Sequence, residues 1–385
     1  MRKHIHVLIA TGKWDQDNLR YRRHRFAEFL QRHPDTKEVI WVCPTSDKQT
    51  GQFQKLANGI VQYTVQDIHP HKIFRFGRYF DSFYKTKLAK LREYLNSNMN
   101  DHLNLWFTFP GFPAMLDLVK WDKTTYDCSD LWASSITGNH NMVLKLREKS
   151  IASAERRIVT LCNNIICTSD YLHDNLIKRY QVKKLIHVLE NGVEYHLFNQ
   201  ALESEKKVKM NGQPTLGFIG GIKPKLDFHL LRQVMELRED WKLLLVGPDG
   251  TNMNTEFKDL LSLPNVTYTG KVSPQEVPIY MGKIDIGILP YKASEYNNAV
   301  FPLKLFEYLA AEKPVVGINL PSTKKYAQPG VFEYLEKDDP RHLIAACEEF
   351  IFNNSMELFH TRKELAKEHD WAEIFCKMYQ ITMKK

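Results

Sequence analysis

Short apolar runs alternate with amphipathic stretches along this 385-residue chain, and that alternation restricts its fold more than any other feature. In the first half, residues 4–10 (HIHVLIA), 38–43, 59–65, 103–109, 124–128, 165–169 and 185–189 have the length and the apolar, β-branched and aromatic content of strands. Helical patterns fall between several of them, at 18–32, 81–95, 141–163 and 170–180, the last opened by Asp170 as an N-cap by residue type. The alternation breaks at residues 190–214, where turn residues, a charged run, Gly212 and Pro214 read as a linker. A second series follows, with strands at 215–220, 241–247, 265–270, 284–290, 314–318 and 331–335. Its helices are expected at 228–237, 254–261, 275–281, 302–311 and 340–352, with a helical tail from Ser355. Strands separated by helices predict βαβ units and mostly parallel sheets. Two such series predict two α/β domains of similar size facing across a cleft, with ligand at the carboxyl ends of the strands.

The chain is too long for one ordinary core and suits two. No apolar run approaches the ~20 residues that span a bilayer, and the apolar part of the start is too short for a leader and reads as a first strand. Six cysteines show neither CxxC nor zinc-like spacing, so they read as buried, reduced thiols of the kind that suit the cytosol. Charge is unevenly spread: residues 1–200 hold 29 Lys and Arg against 20 Asp and Glu, and the remainder 24 against 25. That excess points the first half toward an anionic partner (a phospholipid surface, a diphosphate or an acidic polymer) or else marks a solvated basic surface.

Several constellations are able to carry chemistry. In GFIGGIKPKLD (217–227) a strand runs into Gly220 and Gly221, then Lys223 and Lys225, before a helix. Paired glycines admit a phosphate to the backbone and the lysines would neutralise it, although a tight turn with solvated lysines has the same sequence. In AVFPLKLFEYLAAEKPVVG (299–317), Pro302 suits a first helical position. The N–H groups of Leu303 and Lys304 would then face an anion, and Glu307 would accept from a ribose diol or pair with a surface lysine. YDCSDLW (126–132) places Asp127 and Asp130 at a strand end, either to act on an acceptor hydroxyl or to cap a helix. ATGKWDQDNLRYRRHR (10–25) follows the first strand with Gly12 and Lys13; of Arg22, Arg23 and His24, which open the next helix, some must face solvent. Residues 69–95 interleave Lys72, Arg75 and Arg78 with Phe and Tyr, a pattern that suits docking to a membrane surface, inward packing or single-stranded nucleic acid.

The segments VLENGVEYHLF, GFIGG, LPNVTYTGKVSPQEVPIYM, IDIGILPY and PLKLFEYLAAEKPVVG occur in the order and spacing of family-4 glycosyltransferases of the GT-B fold. TGKWDQDNLRYRRHRFAEFL, YDCSDLW and TSDYLHDNL match as well, so the chain resembles that family over nearly its whole length, and within it the enzymes of teichuronic acid biosynthesis. The resemblance implies an N-terminal Rossmann-like acceptor domain at 1–190 and a donor domain at 191–368. It also implies a C-terminal helix at 369–385 that crosses back to the N-terminal domain. The implied activity is retaining transfer from a UDP-sugar to a polyisoprenyl-diphosphate-linked cell-wall polysaccharide, at the inner face of the cell membrane. No metal, cofactor or nucleic acid partner is implied.

By the same resemblance Glu307 binds the nucleotide ribose, Leu303 and Lys304 touch the diphosphate, and Gly220, Gly221 and Lys225 form the phosphate loop, with Lys223 an alternative to Lys225. Lys271 and Val272 read the base, and Gly12 approaches the donor. Lys225 and Lys304 are the central charges for the leaving diphosphate. Lys13, Arg23, His24, Lys72, Arg75 and Arg78 fall on the acceptor or membrane side. Two positions depart from the family: Ala299 stands where a sugar-reading Glu is expected, and Asp127 lies near a catalytic-site His. A UDP-sugar epimerase or phosphorylase of this fold, and a non-catalytic sugar-nucleotide-binding protein at the membrane, are the alternatives.

Overall fold

The structure is a computed structural model that describes residues 2–16, 20–47, 50–67, 76–134, 142–204, 212–252 and 254–383, without side chains at 200–204. The chain divides into two compact units, Met1–Glu190 with Phe375–Lys385, and Asn191–Ile374.

In the first unit the described strands are β1 (His4–Ile9), β2 (Thr36–Thr45), β3 (Phe53–Lys55), β4 (Val61–Gln66), β5 (His102–Phe107), β6 (Lys123–Cys128), β7 (Asn164–Cys167) and β8 (Ile186–Val188). They form one sheet in the order β3-β4-β2-β1-β5-β6-β7-β8, parallel except for the short edge strand β3. The helices are α1 (Arg22–Arg32), α2 (Asp81–Tyr84), α3 (Ala89–Ser97), α4 (Met142–Leu161) and α5 (Asp170–Tyr180). Strands such as β1 and β2 are buried along nearly all their length, as a parallel sheet covered on both faces requires. The last residues of the chain pack in this unit: Phe375 lies 5.3 Å from Phe26, and Tyr379 stacks on His33 at 4.4 Å.

The second unit has β9 (Thr215–Ile219), β10 (Lys242–Val246), β11 (Val266–Tyr268), β12 (Ile286–Pro290), β13 (Val315–Ile318) and β14 (Phe332–Leu335) in a parallel sheet ordered β11-β10-β9-β12-β13-β14. Around it lie α6 (Tyr195–Ser204), α7 (Phe228–Leu237), α8 (Thr255–Leu261), α9 (Val277–Gly282), α10 (Glu295–Ala299), α11 (Lys304–Ala310), α12 (Pro340–Phe352) and α13 (Met356–Glu368), while α14 (Trp371–Met383) begins in this unit and belongs to the first from Phe375 on. In each sheet the strand order reverses beside the first strand, between β1 and β5 and between β9 and β12, which is where open α/β sheets bind ligands. The α/β class and the two parallel sheets are therefore as the sequence predicts.

Local differences have physical causes. The pattern at 81–95 is not one helix, because the Lys87 carbonyl is taken by the Tyr63 hydroxyl at 2.7 Å and the Lys87 ammonium reaches Gln66 O at 3.1 Å. The interruption is a 3₁₀ turn at Lys85–Leu88. Residues 190–214 are not all linker, since Tyr195 and Phe198 are buried and anchor α6 to the second core. Ser169, rather than Asp170, caps α5, its hydroxyl accepting from Leu172 N at 3.2 Å. Pro302 lies one residue before the Leu303 N-cap of α11 and not at the first helical position. Five cysteines are buried, whereas Cys376 is exposed.

Candidate active site

In the second unit, three consecutive strands end in a glycine with positive φ: Gly220 after β9, Gly247 after β10 and Gly270 after β11. The loops are laddered, with Gly220 N donating to Val246 O (2.7 Å), Gly247 N to Gly270 O (2.8 Å) and Ile222 N to Pro248 O (3.0 Å). Glycine is required for conformation at these positions and, at Gly247, for contact as well. A Cβ on Gly247 would stand 2.1 Å from Gly220 O, and one on Gly220 would stand 1.8 Å from Lys304 Cε. Two of the predicted residues, Gly220 and Lys304, are thus brought against each other from separate segments. Gly247 and Gly270 were missed as site residues, although each follows its apolar strand directly in the sequence.

Helix α11 is placed by its buried side. The Tyr308 hydroxyl accepts from Ile219 N (2.9 Å) and donates to Gly217 O (3.2 Å), which locks the helix onto β9. Its ring lies where a Cβ on Gly287 would be, at 2.5 Å, and burial pushes the phenol well up from its ordinary pKa. Phe306 stacks on His369 at 3.9 Å. The loop entering the helix is held by Asn191, whose Nδ2 donates to Phe301 O at 2.8 Å, and by the Ser322 hydroxyl on Val300 O. From Leu305 to Ala310 only Glu307 is less than fully buried, and with Leu303 and Lys304 it forms the part-exposed side of the helix start. The first N–H groups of such a helix lack intrahelical acceptors by construction.

The turn after Gly221 separates the two candidate lysines. Lys223 is exposed, whereas Lys225 is half-buried with its Nζ 5.1 Å from the Tyr291 ring centroid and 5.7 Å from that of Tyr296. Lys271 is exposed and Val272 half-buried in the turn after Gly270. Ala299 is 1% exposed, so its methyl group offers nothing polar to a ligand.

The first unit treats its basic residues differently. Arg22 and Asp127 are both buried, and Arg22 Nε donates to the Asp127 carboxylate at 2.9 and 3.2 Å. Arg22 Nη1 also donates to Leu189 O (3.0 Å) and Glu190 O (2.9 Å). Asp127 therefore holds Arg22 and, through it, the end of the unit; it does not present an open carboxylate to an acceptor. Sequence reasoning passed over Arg22, because in a run of adjacent basic residues nothing local tells which one turns inward.

His24 is also buried and fully engaged. Its Nδ1 accepts from Tyr21 N at 3.2 Å, which leaves Nε2 to donate to Trp14 O at 3.2 Å, within a cluster with Trp14 and Trp41. Arg23 stays half-exposed above the Tyr21 ring. Lys13 pairs with Asp47, and Gly12 O accepts from Trp41 Nε1 at 2.9 Å. Arg78 is unsuited to a lipid surface, being 8% exposed and paired with Asp67 at 2.5 Å. Asp130 is half-exposed and accepts from Leu131 N at 3.0 Å. Lys72 and Arg75 lie outside the described residues.

Two family models match the chain: "Glycosyltransferase Family 4" over residues 24–196 and "Glycosyl transferases group 1" over 213–353. The sequence is 49% identical over 384 residues to TuaH of Bacillus subtilis (strain 168), to which a role as a teichuronic acid biosynthesis glycosyltransferase is ascribed. That match covers 98% of this chain and 97% of TuaH. The chain belongs to the family-4 glycosyltransferases. Solved structures agree on the GT-B fold of this glycosyltransferase. Sucrose-phosphate synthase from Thermosynechococcus elongatus superposes with a TM-score of 0.73 at 14% identity, covering 99% of this chain and 98% of that one. HepE of Anabaena, in complex with UDP and glucose, gives 0.66 at 13% with 99% of each chain covered. WaaG, a glycosyltransferase involved in lipopolysaccharide biosynthesis, gives 0.66 at 14%, with 99% and 100% covered.

Proposed function

We propose that this glycosyltransferase moves a sugar from a UDP-sugar, with retention of configuration and without a metal ion, to a lipid-diphosphate-linked polysaccharide of the teichuronic acid type. The observation that carries the reading is the convergence of Gly220, Lys304 and the start of α11 at the switch point of the second sheet. Such a site offers close backbone approach, positive charge and the N–H end of a helix to a diphosphate. In this reading Leu303, Lys304, Gly221 and Lys225 meet the diphosphate, Glu307 the ribose, and Lys271 and Val272 the base. The bond from the anomeric carbon to the diphosphate breaks while the acceptor oxygen bonds to the same face, and its proton passes to the leaving diphosphate. The second unit is then the donor domain and the first the acceptor domain, with half-exposed Asp130 its carboxylate nearest to such a role. HepE, of the same fold and in complex with UDP, and TuaH, at 49% identity, support the donor and the acceptor class respectively.

The acceptor's lipid places the enzyme at the inner membrane face. Supporting this, Phe80 and Phe83 beside α2 and Met142, Val143 and Leu146 at the start of α4 are exposed, among exposed Lys85, Lys90, Lys145, Arg147 and Lys149. Aromatic and aliphatic side chains within basic residues suit an anionic bilayer surface. Among the described residues no helix is long and apolar enough to cross a membrane.

The deciding experiment is a screen of UDP-sugars for UDP release, with and without a lipid-linked acceptor and with and without EDTA. Acceptor-dependent release that survives EDTA is expected. Release that requires a divalent ion, or conversion of the UDP-sugar with no acceptor present, overturns the reading. For the ribose assignment, Glu307→Ala is expected to weaken UDP binding in calorimetry, and unchanged affinity removes it.

A further inference from the structure

The turn carrying Lys225 is held from the loop that follows β12. Lys225 O accepts from Lys292 N at 3.0 Å and from Asn297 Nδ2 at 3.2 Å, and the same Nδ2 donates to Lys292 O at 2.7 Å. Asn297 sits in α10 and is 1% exposed. Its Oδ1 is buried and has no hydrogen-bond partner among the described residues, so the amide acts here through its two N–H groups. The residue after Tyr291 is thus tied to the turn, and so is the residue after Tyr296. These are the two tyrosines whose rings flank the Lys225 ammonium. One ten-residue stretch, 291–300, therefore touches both the main chain and the side chain of Lys225, and in this chain it carries Ala299 where a carboxylate would be expected. An aromatic face attracts an ammonium through its quadrupole.

We propose that Asn297 and the rings of Tyr291 and Tyr296 are positioning residues for Lys225, holding its ammonium pre-oriented toward a nucleoside diphosphate. The inference rests on the reading that Lys225 meets the donor diphosphate. A flexible lysine held in advance loses less freedom when the anion arrives, so the effect should appear in binding of the diphosphate and not of the nucleoside.

The test is calorimetric titration of the full chain with UDP and, separately, with uridine. Lys225→Ala, Asn297→Ala and Tyr296→Leu should each weaken UDP binding by about tenfold or more and leave uridine binding unchanged. Tyr296→Phe keeps the ring and should bind UDP more tightly than Tyr296→Leu. Asn297→Asp, which turns a carboxylate toward two carbonyl oxygens, should bind no better than Asn297→Ala. In the Lys225→Ala background, Tyr296→Leu should add nothing, because its effect runs through the lysine. If Lys225→Ala itself binds UDP normally, the diphosphate role of Lys225 fails. If it weakens binding but Asn297→Ala and Tyr296→Leu do not, the positioning role fails. Equal loss of uridine binding, or a full additional loss in the double variant, makes the role merely structural and overturns the inference.

Discussion

The two units place a loop with a glycine and a basic residue at the same topological position, yet use the charge in opposite ways. Around the loop after β1, three cations are matched within the unit: Arg22 on Asp127, Lys13 on Asp47 and, from the segment after β4, Arg78 on Asp67. After β9, Lys304 lies against the backbone of Gly220, and Lys225 lies over two tyrosine rings. A buried ion pair is costly to break and fixes a loop, whereas glycine backbone and an aromatic face meet an ammonium through a dipole or a quadrupole. One fold thus yields a loop braced by ion pairs in one unit and, in the other, the glycine-lined turn to which we assign the donor diphosphate.

The comparison breaks most sharply at Arg22. Arg22→Ala leaves a buried carboxylate without its guanidinium and should cost about 3–5 kcal/mol in chemical denaturation. A loss no larger than that of an exposed pair would mean the first unit is not braced in this way. In the second unit, Gly220→Ala should displace Lys304 and weaken UDP binding by about tenfold or more, in addition to the stability lost to a Cβ at positive φ. If its dominant effect is unfolding, the glycine is there for the fold and not for the ligand.

Acid provides a third measure. His6 is fully buried, and burial together with His4 and His33 lowers its pKa to about 3 from an ordinary 6.5. A depressed histidine stabilises the fold when neutral, so this contribution is present above pH 6.5 and is lost progressively as pH falls toward 3. At a pH about 1.5 units below the ordinary value the loss should be about 2 kcal/mol, and His6→Phe should flatten that part of the stability–pH curve. An unchanged acid limb in that variant would show that another group carries it. Lys13→Ala, at a solvent-exposed pair, should leave the melting temperature unchanged; a clear fall would show bracing at the surface as well.

Much of this was legible because period is local. The strand and helix alternation gave both sheets, and the glycines of GFIGG and the PLKLFEYLA helix stood out by type and spacing. Direction was not legible. Arg22, Arg23 and His24 are adjacent, and only Asp127, 105 residues away from Arg22, and Trp14 beside His24 decide that these two turn inward and Arg23 does not. Glu155 reads as one more polar residue of a helical stretch. In the structure it is buried, accepting from the hydroxyls of Tyr126 (2.5 Å) and Tyr180 (2.6 Å), and burial raises its pKa. Arg78 reads as part of a basic, aromatic surface, yet Asp67 holds it inside. Nothing near Asn297 in the sequence announces that its amide reaches a turn 72 residues earlier.

By itself, then, the sequence determined the two α/β units, the order of their elements and the family, since each follows from periodicity, punctuation and motif order along the chain. Only the tertiary structure decided which charges are buried in ion pairs and which stay at the surface. A buried cation needs a partner, and the partner is supplied by strands and loops remote in sequence that the fold alone brings within hydrogen-bond reach.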